Sequence, residues 1–230
     1  MIVTRREFLA LAAAAPAIGQ TPAQSLPGRY PLKLGDDRDG FVYVPKTYDA
    51  RTPLPLLVML HGAGNTSLSV QYALPLADDL GVIVLAPDSR DERTWDGVLR
   101  SWGPDVEFIS AALHQTTARY RVDRKRIGVG GFSDGATYAI SLGLINGDLA
   151  QSIVAFSPGF VISGETHGQP RIFISHGNHD HILPIDRCGR RIAANLKAAG
   201  YDVTFREFDG DHEIPADVAR DALSWMAKAR

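Results

Sequence analysis

The chain has 230 residues, 45% hydrophobic and 22% charged, with a formal net charge of −2. That balance suits one globular domain with a sizeable core. Near-neutral charge, with no basic run and no aromatic-basic interleaving, excludes a nucleic-acid partner, and the single cysteine, Cys188, excludes an intramolecular disulfide.

Taken in order, the chain opens with Thr4-Arg5-Arg6-Glu7-Phe8-Leu9 and an alanine-rich stretch through Ala17. Paired arginines, a nearby aromatic and a mildly apolar run resemble a twin-arginine export signal over 1–23. The run is too short and too weakly apolar to serve as a stable membrane anchor. The twin-arginine route carries folded proteins, which agrees with a domain that has no disulfide to form. The folded domain is expected over 24–230.

Phe41–Pro45 reads as a strand, preceded by an Asp39-Gly40 hairpin turn. Leu54–His61 is a strongly apolar strand and Val82–Pro87 another, with a helix over Leu68–Leu80 between them, closed by Gly81. Asp105–Tyr120 is a helix with Val106, Ile109, Leu113 and Thr117 on one side, and Asp105 stands where a carboxylate caps free amides. Ile127–Gly130 is a buried strand and Ala136–Leu144 a helix. Ser152–Pro158 and Arg171–Gly177 are strands. Ile185–Ala199 is a helix that includes Cys188, which reads as structural. Val203–Phe208 is the last strand, and Ala216–Lys228 the last helix. Alternating helices and doubly buried strands predict an α/β fold, a mostly parallel sheet with helices on both faces.

Four points at strand ends carry chemistry. Gly131-Phe132-Ser133-Asp134-Gly135 joins a strand to a helix, the setting a strained nucleophile elbow requires. His61-Gly62-Ala63-Gly64 follows an earlier strand. There the Ala63 amide, with that of Asp134 after the serine, is placed to receive a developing oxyanion. His61 itself reads as a prop for that loop. Asp180 and His212 follow the last two strands. The order Ser133, Asp180, His212 matches a triad in which His212 moves the proton and Asp180 fixes its tautomer.

The pieces L-H-G-A-G, V-D-R-K-R-I-G-V-G-G-F-S-D-G, H-G-N-H-D-H-I-L-P and G-D-H-E-I-P span Leu60–Pro215. Together they resemble α/β-hydrolases of the phospholipase/carboxylesterase type, and are similar to secreted polyhydroxybutyrate-depolymerase-like and feruloyl-esterase-like proteins. The resemblance implies hydrolysis of a small-molecule carboxylic ester through an acyl-enzyme, with no metal or organic cofactor. The chain departs from the pattern at Asp134 and Asp211, which add negative charge near the site. No insertion is long enough for a large cap domain. Trp95, Trp102 and Phe160 fall in irregular segments and could line an acyl or aromatic pocket; Trp102 and Phe160 are the candidates for substrate contact. Two other readings compete. His176-Gly177-Asn178-His179-Asp180-His181 resembles a metal-hydrolase motif with its second histidine one place late. The scaffold could instead bind without catalysing.

The N-terminal reading names the twin-arginine translocase as a partner and a periplasmic or secreted destination. Replacing Arg5 and Arg6 with lysine keeps the charge but removes the guanidinium forks. Precursor is then expected to accumulate in the cytoplasm, checked by fractionation of cells expressing the wild-type and doubly substituted chains.

Overall fold

A computed structural model describes residues 26–35 and 37–228; the export segment 1–23 lies outside the described residues. Eight strands form one sheet: β1 (Gly28–Pro31), β2 (Gly40–Val44), β3 (Leu54–Leu60), β4 (Ile83–Pro87), β5 (Val122–Phe132), β6 (Ser152–Phe156), β7 (Arg171–Gly177) and β8 (Val203–Phe208). The order across the sheet is β1-β2-β4-β3-β5-β6-β7-β8. β1 pairs antiparallel with β2 and β2 antiparallel with β4, and every other pairing is parallel. The helices are α1 (Leu74–Leu80), α2 (Asp96–Leu99), α3 (Pro104–Arg119), α4 (Asp134–Ile145), α5 (Gly189–Ala198) and α6 (Ala216–Ala227). Among the described residues, no helix is long and apolar enough to cross a membrane.

The period-two alternation of the strands divides the core into two layers. Leu56, Val58 and Leu60 of β3 join Ile127 and Val129 of β5 and Ile172 and Ile174 of β7 on one face, covered by α3, α4 and α5. Leu57 and Met59 point the other way, with Val154, Phe156 and Phe173, and are covered by α1 and α6. Two-sided burial explains why the central strands read as continuous apolar runs.

Several local expectations are corrected. β1 is an additional, short edge strand. Asp39-Gly40 is not the hairpin turn; the connection from Pro31 of β1 to Gly40 of β2 is longer than a tight turn. Asp39 closes it, its carboxylate accepting from the amides of Lys33, Leu34 and Gly35 at 2.8, 2.8 and 3.1 Å. The segment before α1 is a 3-10 helix (Ser67–Ala73), because a proline in the first turn of α1 starts a new helix there. α5 begins at Gly189, and Cys188 is its buried N-cap rather than part of the helix body.

At the centre of the sheet β5 meets α4 with no spare volume. A Cβ on Gly131 would lie 2.3 Å from the Gly135 carbonyl carbon, and one on Gly135 would lie 2.3 Å from the Leu60 carbonyl oxygen. Both obstacles are backbone, so neither can be relieved by a side-chain rotation. The missing side chains let α4 start directly against the end of β3. Gly135→Ala is therefore expected to separate these segments and to destabilise the domain by about 1–3 kcal/mol, the usual range for overpacking. Denaturant unfolding of the variant against wild type reads the loss.

Candidate functional site

Ser133 sits between β5 and α4 with φ 56° and ψ −120°, conformationally strained for a residue with a Cβ. Its amide donates to the Phe156 carbonyl of β6 at 2.9 Å, which ties the strained turn to the neighbouring strand. Asp180 follows β7 and His212 follows β8. Parallel strands deliver all three residues to the same edge of the sheet, the carboxyl ends where sites form in such folds.

There the side chains meet. Ser133 Oγ lies 2.9 Å from His212 Nε2, and His212 Nδ1 lies 2.7 Å from Asp180 Oδ2. The neutral tautomer that fits has Nδ1–H donating to the carboxylate and Nε2 accepting from the serine hydroxyl. The imidazole packs beside the Phe132 ring, with centroids 4.7 Å apart. The Asp180 side chain is fully buried. Its Oδ1 accepts from the amides of Ile182 and Leu183 at 3.0 and 2.7 Å, so the acid is anchored by its own turn. His176 is a further neighbour that sequence reasoning had not given this place. Its Nε2 lies 2.7 Å from the Leu183 carbonyl and 3.1 Å from Asp180 Oδ2, and its single hydrogen faces both.

The glycine-rich loop after β3 lies alongside. A Cβ on Gly62 would be 3.5 Å from the Ser133 Cβ, which puts the loop in contact with the elbow. Ala63 is exposed beyond it. The Asp134 amide is the first of α4 and has no acceptor within the helix. His61 holds the loop from behind, as expected of it. Its Nδ1 donates to the Gly62 carbonyl at 2.8 Å, and its Nε2 accepts from the Ser89 amide at 3.0 Å. Both ring nitrogens are thus committed, and burial pushes its pKa below the ordinary 6.5.

The histidines at and after the end of β7 divide among separate partners. His176 is buried beneath Asp180, His179 pairs with Asp209 at 2.9 Å on the surface, and His181 pairs with Asp211 at 2.7 Å. Among the described residues, no three His, Cys, Asp or Glu side chains converge as a metal-holding group. Asp211 does more than add charge, because its Oδ1 also accepts from the amides of His181 and His212 at 3.3 and 2.7 Å. It therefore clasps the loop carrying Asp180 to the loop carrying His212.

Of the aromatic candidates, Phe160 is 43% exposed on the segment after β6. Trp102 is half-buried, its ring 4.8 Å from that of Tyr138. Trp95 is fully buried and lines no surface. Its indole N–H donates to the His61 carbonyl at 2.8 Å, behind the glycine-rich loop.

The parallel sheet, the strained serine turn and the Ser-His-Asp hydrogen-bond chain define an α/β-hydrolase. The sequence profile of the phospholipase/carboxylesterase family matches residues 81–229, more than half of the chain, and the chain belongs to that family. The bifunctional acetylxylan esterase/xylanase of Neocallimastix patriciarum is 30% identical over 162 residues, 67% of this chain and 23% of that protein. The probable feruloyl esterase C of Aspergillus niger is 26% identical over 158 residues, 65% of this chain and 57% of that protein. The chain thus spans less than two thirds of either relative. Among solved structures, a substrate-bound, fluorophosphonate-binding serine hydrolase of Staphylococcus aureus matches with a TM-score of 0.71 at 16% identity, over 89% of this chain and 100% of that one. A ferulic acid esterase of Anaeromyces mucronatus in complex with ferulic acid matches at 0.66 and 18% identity, over 90% and 92%. These structural likenesses show the fold.

Burial gives the site a pH dependence of stability. The pKa values of His61 and His176 are both pushed down, first by desolvation, so each is neutral when folded and takes a proton more readily when unfolded. Their contribution is full above the unfolded value near 6.5 and is lost as pH falls from there through the folded values. Asp105, raised to about 6 by burial, works in the opposite direction over its own range. Unfolding free energy is expected to fall between pH 7 and 5, and the slope to flatten in His176→Gln, measured by urea unfolding across that range.

Proposed function

We propose that this chain is a serine esterase that cleaves carboxylic esters through an acyl-enzyme. The observation that carries the reading is the unbroken chain from buried Asp180 through His212 to a strained, half-buried Ser133. Ser133 Oγ attacks the ester carbonyl carbon while His212 Nε2 takes the hydroxyl proton. The carbonyl oxygen becomes an oxyanion, which the Ala63 and Asp134 amides receive. The carbon–oxygen bond to the alcohol then breaks, and His212 returns the proton to the departing alkoxide. Water repeats the sequence on the acyl-enzyme, releasing the acid and restoring Ser133. Asp180 stays ionised throughout, holding the imidazole in orientation and stabilising its cationic form. No cofactor enters these steps.

The substrate class follows from the site's edges and from the relatives. Phe160, Val161 and Ile182 are exposed apolar side chains on the segments that follow β6 and β7. With half-buried Trp102 they offer an apolar surface to the acid part of an ester. Relatives named for acetylxylan and feruloyl esters make small acetyl esters and aromatic acid esters the first classes to assay. We further infer export through the twin-arginine translocase to the periplasm or outside the cell, on the strength of Arg5-Arg6 and the alanine-rich stretch after them.

Ser133→Ala is expected to lower kcat on p-nitrophenyl acetate by a factor on the order of 10⁶ while the domain stays folded. A fluorophosphonate should label wild type and leave the variant unlabelled. Full activity or undiminished labelling in Ser133→Ala would rule out the serine reading. Absence of turnover by wild type across acetyl and aromatic esters would favour a binding scaffold, and loss of turnover to a chelator would favour a metal hydrolase.

A further inference from the structure

We propose that Asp105 is a positioning residue for the glycine-rich loop that receives the oxyanion, acting through the segment from Ser89 to Asp96. The inference rests on the serine-esterase reading above and adds to it a group remote from the reacting atoms. The starting observation is that Asp105 has zero exposure, yet among the described residues no arginine or lysine ion-pairs with its carboxylate at contact distance, the Arg90 guanidinium acting on it only at longer range. Burying an ionised carboxyl without a cation is unfavourable unless strong donors replace the lost water. Two backbone amides do so here. Oδ1 accepts from the Arg90 amide at 2.5 Å, and Oδ2 accepts from the Asp96 amide at 2.6 Å. The sequence-based role of Asp105 is thus corrected. It holds two distant amides, and the first amide of its own helix is taken by Asp96 Oδ2 at 2.8 Å.

Beside and between those two anchored amides the chain makes its contacts with the loop at Ser133. The Ser89 amide donates to His61 Nε2 at 3.0 Å, and the Arg93 carbonyl accepts from the Gly64 amide at 2.6 Å. The Trp95 indole donates to the His61 carbonyl at 2.8 Å, with its ring 4.8 Å from the imidazole. Residues 61 and 64, on either side of Gly62-Ala63, are therefore held by one segment, and both ends of that segment hang on one carboxylate. The Asp96 side chain extends the frame to α4, because Tyr138 donates its hydroxyl to Asp96 Oδ1 at 3.0 Å and stacks against Trp95 at 5.3 Å. The second amide of the oxyanion site, that of Asp134, begins this same helix. The Asp105–Asp96 pair thus links the two elements that must keep a fixed separation. A shift of a few tenths of an ångström between them weakens a bond that matters most in the transition state, so its loss falls on kcat rather than on KM.

Asp105→Asn keeps the shape but sets an NH₂ group against one of the two amides. Trp95→Phe keeps the ring and removes the donor to His61. Each variant, and the double variant, would be assayed on p-nitrophenyl acetate, with active-site titration by a fluorophosphonate fixing the concentration of competent enzyme. We expect Asp105→Asn to lower kcat per titrated site about tenfold with KM within about twofold, a fraction of what complete loss of an oxyanion donor costs. Trp95→Phe should follow the same pattern, and the double variant should be little worse than Asp105→Asn, because both act along one path. An unchanged kcat per titrated site in Asp105→Asn, or losses that multiply in the double variant, would overturn the proposal. If Asp105→Asn does not fold, Trp95→Phe decides alone: a wild-type kcat overturns the proposal, and a lowered kcat at constant KM supports it. Ser133→Ala separates this outcome from failure of the esterase reading, since an inert Ser133→Ala beside fully active Asp105 and Trp95 variants leaves that reading intact.

Discussion

The close approach of β5, α4 and β3 is the constraint on which the rest of the site depends. Three backbone segments meet where Gly131 and Gly135 leave no side chain between them, with contacts of 2.3 Å awaiting any Cβ. Only that proximity lets the chain reverse from strand to helix within the single residue Ser133, held at φ 56°. The strain at the serine is local, but its support is spread over the sheet. β6 supplies the carbonyl that accepts from the Ser133 amide, and β3 supplies the wall against which α4 starts. A strained turn survives where surrounding structure over-determines it. Here the over-determination comes from parallel pairings on both sides of β5.

The charges around this turn follow the same logic of replacement for lost water. Asp180 and Asp105 are both buried carboxylates satisfied by N–H groups, but they differ in what those groups can do next. Asp180 takes two amides from its own turn and one imidazole that can become cationic. Asp105 takes two amides that never change charge. The first arrangement can answer the appearance of positive charge on His212; the second can only hold a shape. Burial accordingly raises Asp105 to about 6, with the Arg90 and Asp96 amides pulling the other way.

Much of this is legible in the chain itself. Central strands buried on both faces are continuous apolar runs, so β3, β4, β6 and β7 lie within a residue or two of the expected bounds. Ser133, Asp180 and His212 each sit just past a strand, and a parallel sheet brings such positions together whatever their separation in sequence. Other features depended on contacts that leave no local trace. β1 is four residues long with alternating exposure at an edge, too short for periodicity to speak. Asp39-Gly40 has the composition of a tight turn, but the carboxylate satisfies three amides of a longer loop, a tertiary choice between two uses of the same residue. Trp95 stands in an irregular, polar stretch and is fully buried because one indole N–H finds the His61 carbonyl. Asp105 looked like a helix cap for want of any sign that residues 90 and 96 would come to it.

Histidine shows how position, rather than residue type, assigns a role within one site. His61 and His176 both end strands and face inward, and desolvation keeps them neutral. His61 is left with hydrogen bonds to the backbone under the glycine-rich loop, and His176 with the Leu183 carbonyl and one carboxylate oxygen of Asp180. His179 and His181 lie beyond the end of β7, where the strand no longer dictates direction, and they turn outward to surface aspartates. Only His212 has one ring nitrogen on a buried carboxylate and the other on a hydroxyl. Proton transfer needs both of those contacts at once: an anion behind the ring to stabilise the cation, and an acidic partner in front whose proton can be taken. His61, bonded to backbone alone, lacks the first; His176, held between a carbonyl and Asp180, and the surface histidines on solvated aspartates lack the second. The sheet therefore gives both contacts to one of five neighbouring histidines, by where each strand ends.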